Sequence, residues 1–506
     1  MASWDIILQG IESAVTLQNL FFLALSFFLG VIVGILPGIG PAAGMVLILP
    51  FSFNMDRTSA MILMSGVYLA SNYGGSIAAI LVNAPGEAAS AATLLDGYPM
   101  TRKGRGAEAL GISATAGALG GILGLVVLVF TAPLLASWAL RFGPPENCLL
   151  ALFALSVIAA IVKRNPIKGI VSACIGLILS TVGVDLISGD SRFTLGIEQF
   201  QDGIPFIQAM VGIFAISQVI ILAEENRAIS KVELAGSGLL AGFKTTFKYP
   251  LTLIRSFIIG IWIGALPAAG RSTASFMAYA EEIRAAKDKS QFGKGNPIGV
   301  IASEMGNNAC AMGDLIPTLS LGIPGSVGAA VFLGIMIIFG VVPGYKVFID
   351  HGKTIYGLFT AFFIENVLIL VLGLTYAKYL AKITMVRNDI IVPFILIFSL
   401  LGSYSIRYSF FDLLLTSCFG LLGYFMNKYG YTPVPLVLAM VLGPMLEKNF
   451  QRSLIIGEGS YTIFFQSGIS RVLVALSVVS LLYPYIGPVF QRLRRRERIH
   501  NPNPEK

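Results

Sequence analysis

Long apolar runs, punctuated by short polar stretches, occupy nearly the whole chain. They extend roughly through 18–36, 58–82, 107–140, 146–162, 167–187 and 206–223. After a charged break they resume at 250–266, 298–320, 326–342, 354–378, 389–404, 409–427, 433–446 and 470–490. A helix of about 20 apolar residues spans a hydrocarbon core about 30 Å thick, and most of these runs reach or approach that length. Two shorter pieces, at 42–53 and 272–280, follow proline-glycine interruptions and fit re-entrant halves better than full crossings. The pattern predicts an all-α polytopic membrane protein with about a dozen transmembrane elements, some of them broken or re-entrant.

Four interruptions stand out: G-I-L-P-G-I-G-P at 34–41, N-A-P-G-E-A-A-S at 83–90, G-A-L-P-A-A-G at 264–270 and G-I-P-G-S-V-G-A-A at 322–330. Breaking a helix in hydrocarbon frees N–H and C=O groups where no water can satisfy them. Pro37 and Pro267 are 230 positions apart, and Pro85 and Pro324 are 239 apart, so the breaks recur at matched places in two halves. This is the signature of a duplicated unit in a secondary transporter. The expected layout is a first repeat over 1–225 (motifs near 34–44 and 72–90) and a cytoplasmic connecting segment over 226–249. A second repeat over 250–446 (motifs near 264–273 and 304–328) and a final helix with a basic cytoplasmic tail over 447–506 complete it.

Loop charge gives the orientation. No Lys or Arg precedes Arg57, whereas Asp5 and Glu12 do, so the N-terminus is expected outside. The loops carrying Arg102, Lys103 and Arg105, and Lys163, Arg164 and Lys168, go inside, as do Arg227–Lys248, Lys378–Arg387 and the arginine-rich tail. The acidic loop with Asp190, Glu198 and Asp202 goes outside. The loop after the first break is nearly free of positive charge. Its counterpart in the second half holds Arg284, Lys287, Lys289 and Lys294. That reversal predicts inverted-topology repeats.

The composition agrees: of 506 residues 55% are hydrophobic and 12% charged, against about 25% charged in soluble domains, and mean hydropathy is +0.80. The net charge of +8 sits in short loops and the tail, with no basic stretch interleaved with aromatics, so no nucleic-acid partner is expected. Membrane-surface contacts and topogenic roles remain for those charges; the tail is expected to meet anionic lipid or another subunit, or to serve topology alone. Cys148, Cys174, Cys310 and Cys418 are far apart, His351 and His500 lie in polar segments, and no metal site is predicted. The apolar run at 16–34 is too long, and lacks the basic flank, for a cleavable signal peptide.

The candidate chemistry gathers at the breaks. Pro37, Gly38 and Gly40, and Pro267 and Gly270 in the second half, allow the backbone to unwind and expose carbonyls to a cation. Helices restarting beyond them present N–H groups to a carboxylate. Glycines here are expected to take φ > 0, so a β-branched residue at Gly38 or Gly325 should abolish transport. The alternative is a plain turn between two spans. Asn72, Gly75, Ser76, Asn83, Pro85, Gly86, Ser90 and Thr93 cluster in the first half, and Ser272, Thr273, Asn307, Asn308, Thr318, Ser320, Pro324, Gly325 and Ser326 in the second. Amides and hydroxyls can hold Na⁺ or a carboxylate without burying a charge, although small residues also serve close helix packing, as the G-x-x-x-G runs from Gly117 and Gly120 do. Intramembrane charges are few: Glu87, Arg271, Glu304, Asp314 and Glu365. Arg271 is placed either to clamp a substrate carboxylate or to pair with Glu304 or Asp314, and either acid is a candidate to carry a coupled proton.

The runs at 34–41, N-Y-G-G-S-I-A-A-I-L-V-N-A-P-G-E-A-A-S (72–90), D-G-Y-P (96–99), G-N-N-A (306–309), I-P-T-L-S-L-G-I-P-G-S (316–326) and V-P-G (342–344) resemble the large membrane subunit of the tripartite tricarboxylate transporters. The likeness runs from about Asn19 to about Pro444. It implies a bacterial inner-membrane permease, with periplasmic N-terminus and cytoplasmic C-terminus, working with a small four-span membrane subunit and a periplasmic solute-binding protein. It further implies uptake of a di- or tricarboxylate driven by Na⁺ or H⁺, without ATP; no G-x-x-x-x-G-K-[ST] occurs in the chain. Ala268 where glycine is common, Arg271 where a small residue is usual and Ser303 in place of proline depart from the family pattern. The expected mechanism is elevator-like, the motif-bearing unit moving against a scaffold of the other helices. A channel with re-entrant loops is the competing reading. An intramembrane enzyme lacks a Ser-His, paired-Asp or zinc constellation.

Overall fold

The computed structural model describes residues 4–36, 40–161, 166–185, 187–224, 238–267, 269–344, 346–380 and 388–482. Pro37, Gly38, Ala268, the first half of the connecting segment (226–237) and the arginine-rich tail lie outside the described residues. The described chain is built of helices; its strands are a two-residue ribbon pairing Gly183–Val184 with Ser191–Arg192. Among the described residues, five helices are long and apolar enough to cross a membrane: Leu17–Ile35, Gly106–Ala139, Phe206–Glu224, Gly352–Thr375 and Phe410–Lys428. Seven shorter apolar helices accompany them, including Gly40–Ser52, Pro250–Ala265 and Val327–Ile338.

The chain divides into two compact units, one formed by residues 1–140 and 205–428, the other by 141–204 and 429–506. At the centre of the first unit lies helix Arg57–Val82, buried along almost its whole length. Asp56 caps its start by accepting from the N–H groups of Thr58 and Ser59 at 3.0 and 3.2 Å. Asn83 ends it in the left-handed conformation, φ 57°. Its many small residues let neighbours approach to backbone contact: a Cβ on Gly34 of helix Leu17–Ile35 would overlap the carbonyl of Ser71. The second half repeats this contact, with Gly264 of helix Pro250–Ala265 against the carbonyl of Cys310 in helix Pro297–Gly313. Gly74 meets Val31 and Gly34 as Gly313 meets Ile261 and Gly264, and Gly86 abuts Gly34 as Gly325 abuts Gly264. The two sets are related by the 230- and 239-residue offsets.

Helix Gly106–Ala139 packs through its glycines, as the G-x-x-x-G spacing predicts. Positions 117, 120 and 124 leave no room for a Cβ against Asn308, the Met305 carbonyl and Met312. In the second unit, helices Pro166–Ser180 and Pro433–Ile456 cross at Gly176, against the Leu436 carbonyl. The hairpin is held by Arg192, which pairs with Glu447 and, at 3.1 Å, with Asp185.

Three boundaries differ from the hydropathy reading. The 298–320 run is two helices that meet at Asp314, Pro297–Gly313 and Leu315–Leu321. The 433–446 run extends to Ile456, because the polar residues after Pro444 continue the helix on a half-exposed face. Helix Trp4–Ala14 and helix Ser90–Arg102 are too polar or too short to register as apolar runs.

Candidate functional site

The breaks bring polar residues from four helices together inside the first unit. Helix Pro250–Ala265 ends at Leu266 in an extended conformation, and Gly270, at φ 73°, opens helix Gly270–Ala285. Gly40 opens Gly40–Ser52 in the same way at φ 60°. Gly322 ends Leu315–Leu321 at φ 70°. Gly270 N–H donates to the Gly325 carbonyl at 3.2 Å, tying the two second-half breaks together. The expectation that Gly325 itself needs φ > 0 is not met: its φ lies outside the left-handed range. Glycine is required there because a Cβ would stand 2.5 Å from Asp314 Cβ and 2.7 Å from the Gly264 carbonyl.

The residue after Gly270 is Arg271, buried to 5% exposure. Its Nη1 donates to Asn72 Oδ1 at 2.6 Å, its guanidinium carbon lies 4.0 Å from the centre of the Tyr68 ring, and Nε stands 3.6 Å from Asp314 Oδ2. Tyr68, one helical turn before Asn72, donates its hydroxyl to Asp314 Oδ1 at 2.5 Å. Of the two acids proposed as partners for Arg271, the structure therefore selects Asp314. The pairing is partial. Among the described residues, Arg271 Nε and Nη2, Asn72 Nδ2, Asp314 Oδ2 and both amide atoms of Asn307 are buried without a hydrogen-bond partner. Nη2 points at the start of helix Val327–Ile338, where a Cβ on Gly328 would be 3.5 Å away. Ser326 caps that helix by accepting from Ala329 N–H at 3.1 Å. A buried guanidinium edge with the Asn72 amide on one side and the start of helix Val327–Ile338 on the other forms an arrangement suited to a carboxylate.

Glu304 lies apart from Arg271. It accepts from Ser76 at 2.7 Å and Thr93 at 2.5 Å, and Thr93 is in turn 3.0 Å from Ser303. A buried carboxylate with two hydroxyl neighbours can bind a proton or a small cation. Glu87, half-buried, stands near Gly75 and close enough to Arg271 and Asp314 for their charges to act on it.

Other candidates are engaged locally. Thr318 and Ser320 donate to carbonyls one turn back, at Asp314 and Ile316, and Asn308 does the same to Glu304. Asn83 is an exposed helix terminator, while Ser272 and Thr273 are half-buried beside Arg271. Gly86 ties the second break to helix Arg57–Val82, its N–H lying 3.4 Å from the Gly75 carbonyl, and Pro85 beside it is half-buried.

Three roles escaped the sequence reading, among them that of Asp96, legible there only as the first residue of D-G-Y-P. Tyr68 looks like an ordinary core aromatic; its spacing of four from Asn72 was the available signal. Asp96 accepts from the N–H groups of Gly295 and Asn296 and from the Tyr279 hydroxyl, all at 2.8 Å, and so anchors the start of the helix bearing Glu304. Ser26 donates to Glu365 at 3.0 Å, both packed on Gly66, a pairing between residues 339 apart.

Residues 20–438 match the model of the tripartite tricarboxylate transporter TctA family. An uncharacterized 52.8 kDa protein in the TAR-I ttuC' 3' region of Agrobacterium vitis is 35% identical over 482 residues, covering 94% of this chain and 96% of its own length. An uncharacterized protein in the TAR-II ttuC' 3' region of the same organism is 34% identical over 223 residues, covering 44% of this chain and 92% of its own. No solved structure matches the chain significantly.

Proposed function

Because the chain belongs to the tripartite tricarboxylate transporter TctA family, we propose that it is the large permease subunit of a binding-protein-dependent secondary transporter importing a di- or tricarboxylate across a bacterial inner membrane. The observation that carries this reading is Arg271, buried with its Nε–Nη2 edge free of hydrogen bonds beside Asn72, whose Nδ2 is likewise unpartnered. A substrate carboxylate would take that edge, with the N-terminus of helix Val327–Ile338 adding its dipole. Na⁺ or H⁺ would drive uptake, with Glu304 and Asp314 as the acids available for coupling.

The recurrence of the Gly34–Ser71 contact as Gly264–Cys310 supports a duplicated unit, and with the reversal of loop charge it supports inverted repeats. Alternating access by movement of the motif-bearing unit, with partner subunits delivering substrate from the periplasmic face, follows from that reading. The test is uptake of a carboxylate panel in proteoliposomes holding the chain with its partner subunits. Wild type should accumulate substrate and Arg271→Gln should lose it. Accumulation that persists after both the Na⁺ and H⁺ gradients are collapsed would remove the symport.

A further inference from the structure

Asp314 sits where helix Pro297–Gly313 meets Leu315–Leu321, wholly buried. Its two oxygens are unequal. Oδ1 receives the Tyr68 hydroxyl, whereas Oδ2 has no hydrogen bond among the described residues and lies 3.6 Å from Arg271 Nε. Arg271 is likewise divided: Nη1 is committed to Asn72, and the Nε–Nη2 edge is open. The edge a substrate carboxylate would occupy is therefore the one Asp314 Oδ2 borders.

Resting on the carboxylate-transporter reading above, we propose that Asp314 is the resident counter-ion of Arg271 and that substrate displaces it only together with a proton. The ionisable side chains that interact with Asp314 among the described residues are Arg271, Tyr68, Glu87 and Cys310. One cation among them faces two acids, so an incoming carboxylate beside an ionised Asp314 places a further negative charge in a buried site with nothing to offset it. A proton from the aqueous side binds Asp314 Oδ2. The new O–H then donates to the substrate carboxylate, which takes the Nε–Nη2 edge of Arg271, and Tyr68 goes on donating to Oδ1. One carboxylate group and one proton enter, so the charge of the Arg271–Asp314 pair is the same empty and loaded, and the other carboxylates of the substrate are left to groups or cations beyond this pair.

Calorimetry of the purified full chain with citrate, and in parallel with succinate, in two buffers of different protonation enthalpy counts the protons taken up per bound anion. The pH is set where the probe is fully ionised. Wild type should take up about one proton. Asp314→Asn, which keeps an oxygen for Tyr68, should take up none and bind without strengthening as pH falls. Anion binding by wild type with no proton uptake overturns the proposal while leaving the carboxylate site intact. So does uptake that persists in D314N and vanishes in E304Q, which assigns the proton to Glu304. If neither anion binds wild type, the carboxylate site itself falls, and this proposal with it.

Discussion

Replacing Gly325 by alanine tests whether close approach at the fourth break sets the site. The new Cβ would lie 2.5 Å from Asp314 Cβ, 2.8 Å from Asp314 Cα and 2.7 Å from the Gly264 carbonyl. Carbon atoms settle about 3.5–4.0 Å apart, so the shortfall is about 1 Å, and the obstruction is backbone on both sides. Either the break recedes or Asp314 shifts, and its contacts to Tyr68 and Arg271 do not survive a displacement of that size. Overpacking of this kind costs about 1–3 kcal/mol, or about a 5- to 150-fold loss in carboxylate affinity if it falls on the bound geometry. Gly322→Ala is the matched control. Its φ is 70° and the nearest obstacle is Pro343 Cγ at 3.5 Å, so it adds about 1–2 kcal/mol of backbone strain without pressing on Asp314. Melting in detergent and citrate binding separate the two: G322A should melt lower and bind as wild type does, whereas G325A should lose affinity. Equal losses of affinity in both variants, or an unaltered G325A, would refute the steric argument.

Asp96→Ala strands the N–H groups of Gly295 and Asn296 and the Tyr279 hydroxyl. It should lower stability by at least about 2 kcal/mol in thermal melts, with Asp96→Asn losing less because one acceptor oxygen remains; an unchanged melting temperature in D96A rules out the anchor. In the acidic loop of the second unit, N–H donation from Ser188, the Gln451 side chain and the Ile187 N–H hold the Asp185 carboxyl down at about 2. Its stabilising contribution is therefore complete above the ordinary aspartate range, near 3.8, and is lost as pH falls through about 2. Pepsin cleavage beside Phe193 should rise in wild type only as pH falls through that acid window, and Asp185→Asn should already be cleaved faster near pH 3.8.

What the chain disclosed in advance follows the reach of local patterns. Proline and glycine inside apolar runs marked the breaks at Gly40, Gly270 and Gly322, where backbone conformation demands them, and Arg271 was conspicuous as a charge in an apolar setting. The role of Gly325 was assigned correctly to the break but for the wrong cause, since φ > 0 is a local property and contact with Asp314 is not. Tyr68 was hidden because an aromatic on a buried helix nearly always serves packing. The pairing of Ser26 with Glu365 joins elements distant in sequence, which no periodicity encodes. Helix Ser90–Arg102 went unread for a related reason: its small and hydroxylated face is buried against other polar residues, so it carries no hydrophobic stripe.

That same helix fastens its neighbour twice. Thr93 reaches Glu304, and Asp96, a single turn further on, grips the backbone just ahead of Pro297. Two rivets on one short rod, set a full two turns apart on the other, leave no freedom to slide or roll between them. Whatever displacement carries cargo past the bilayer must take this pair as one rigid plate. The flexing then has to be found at the plate's edges, around Gly104 and in the stretch from 286 to 293, where left-handed glycines already bend the chain.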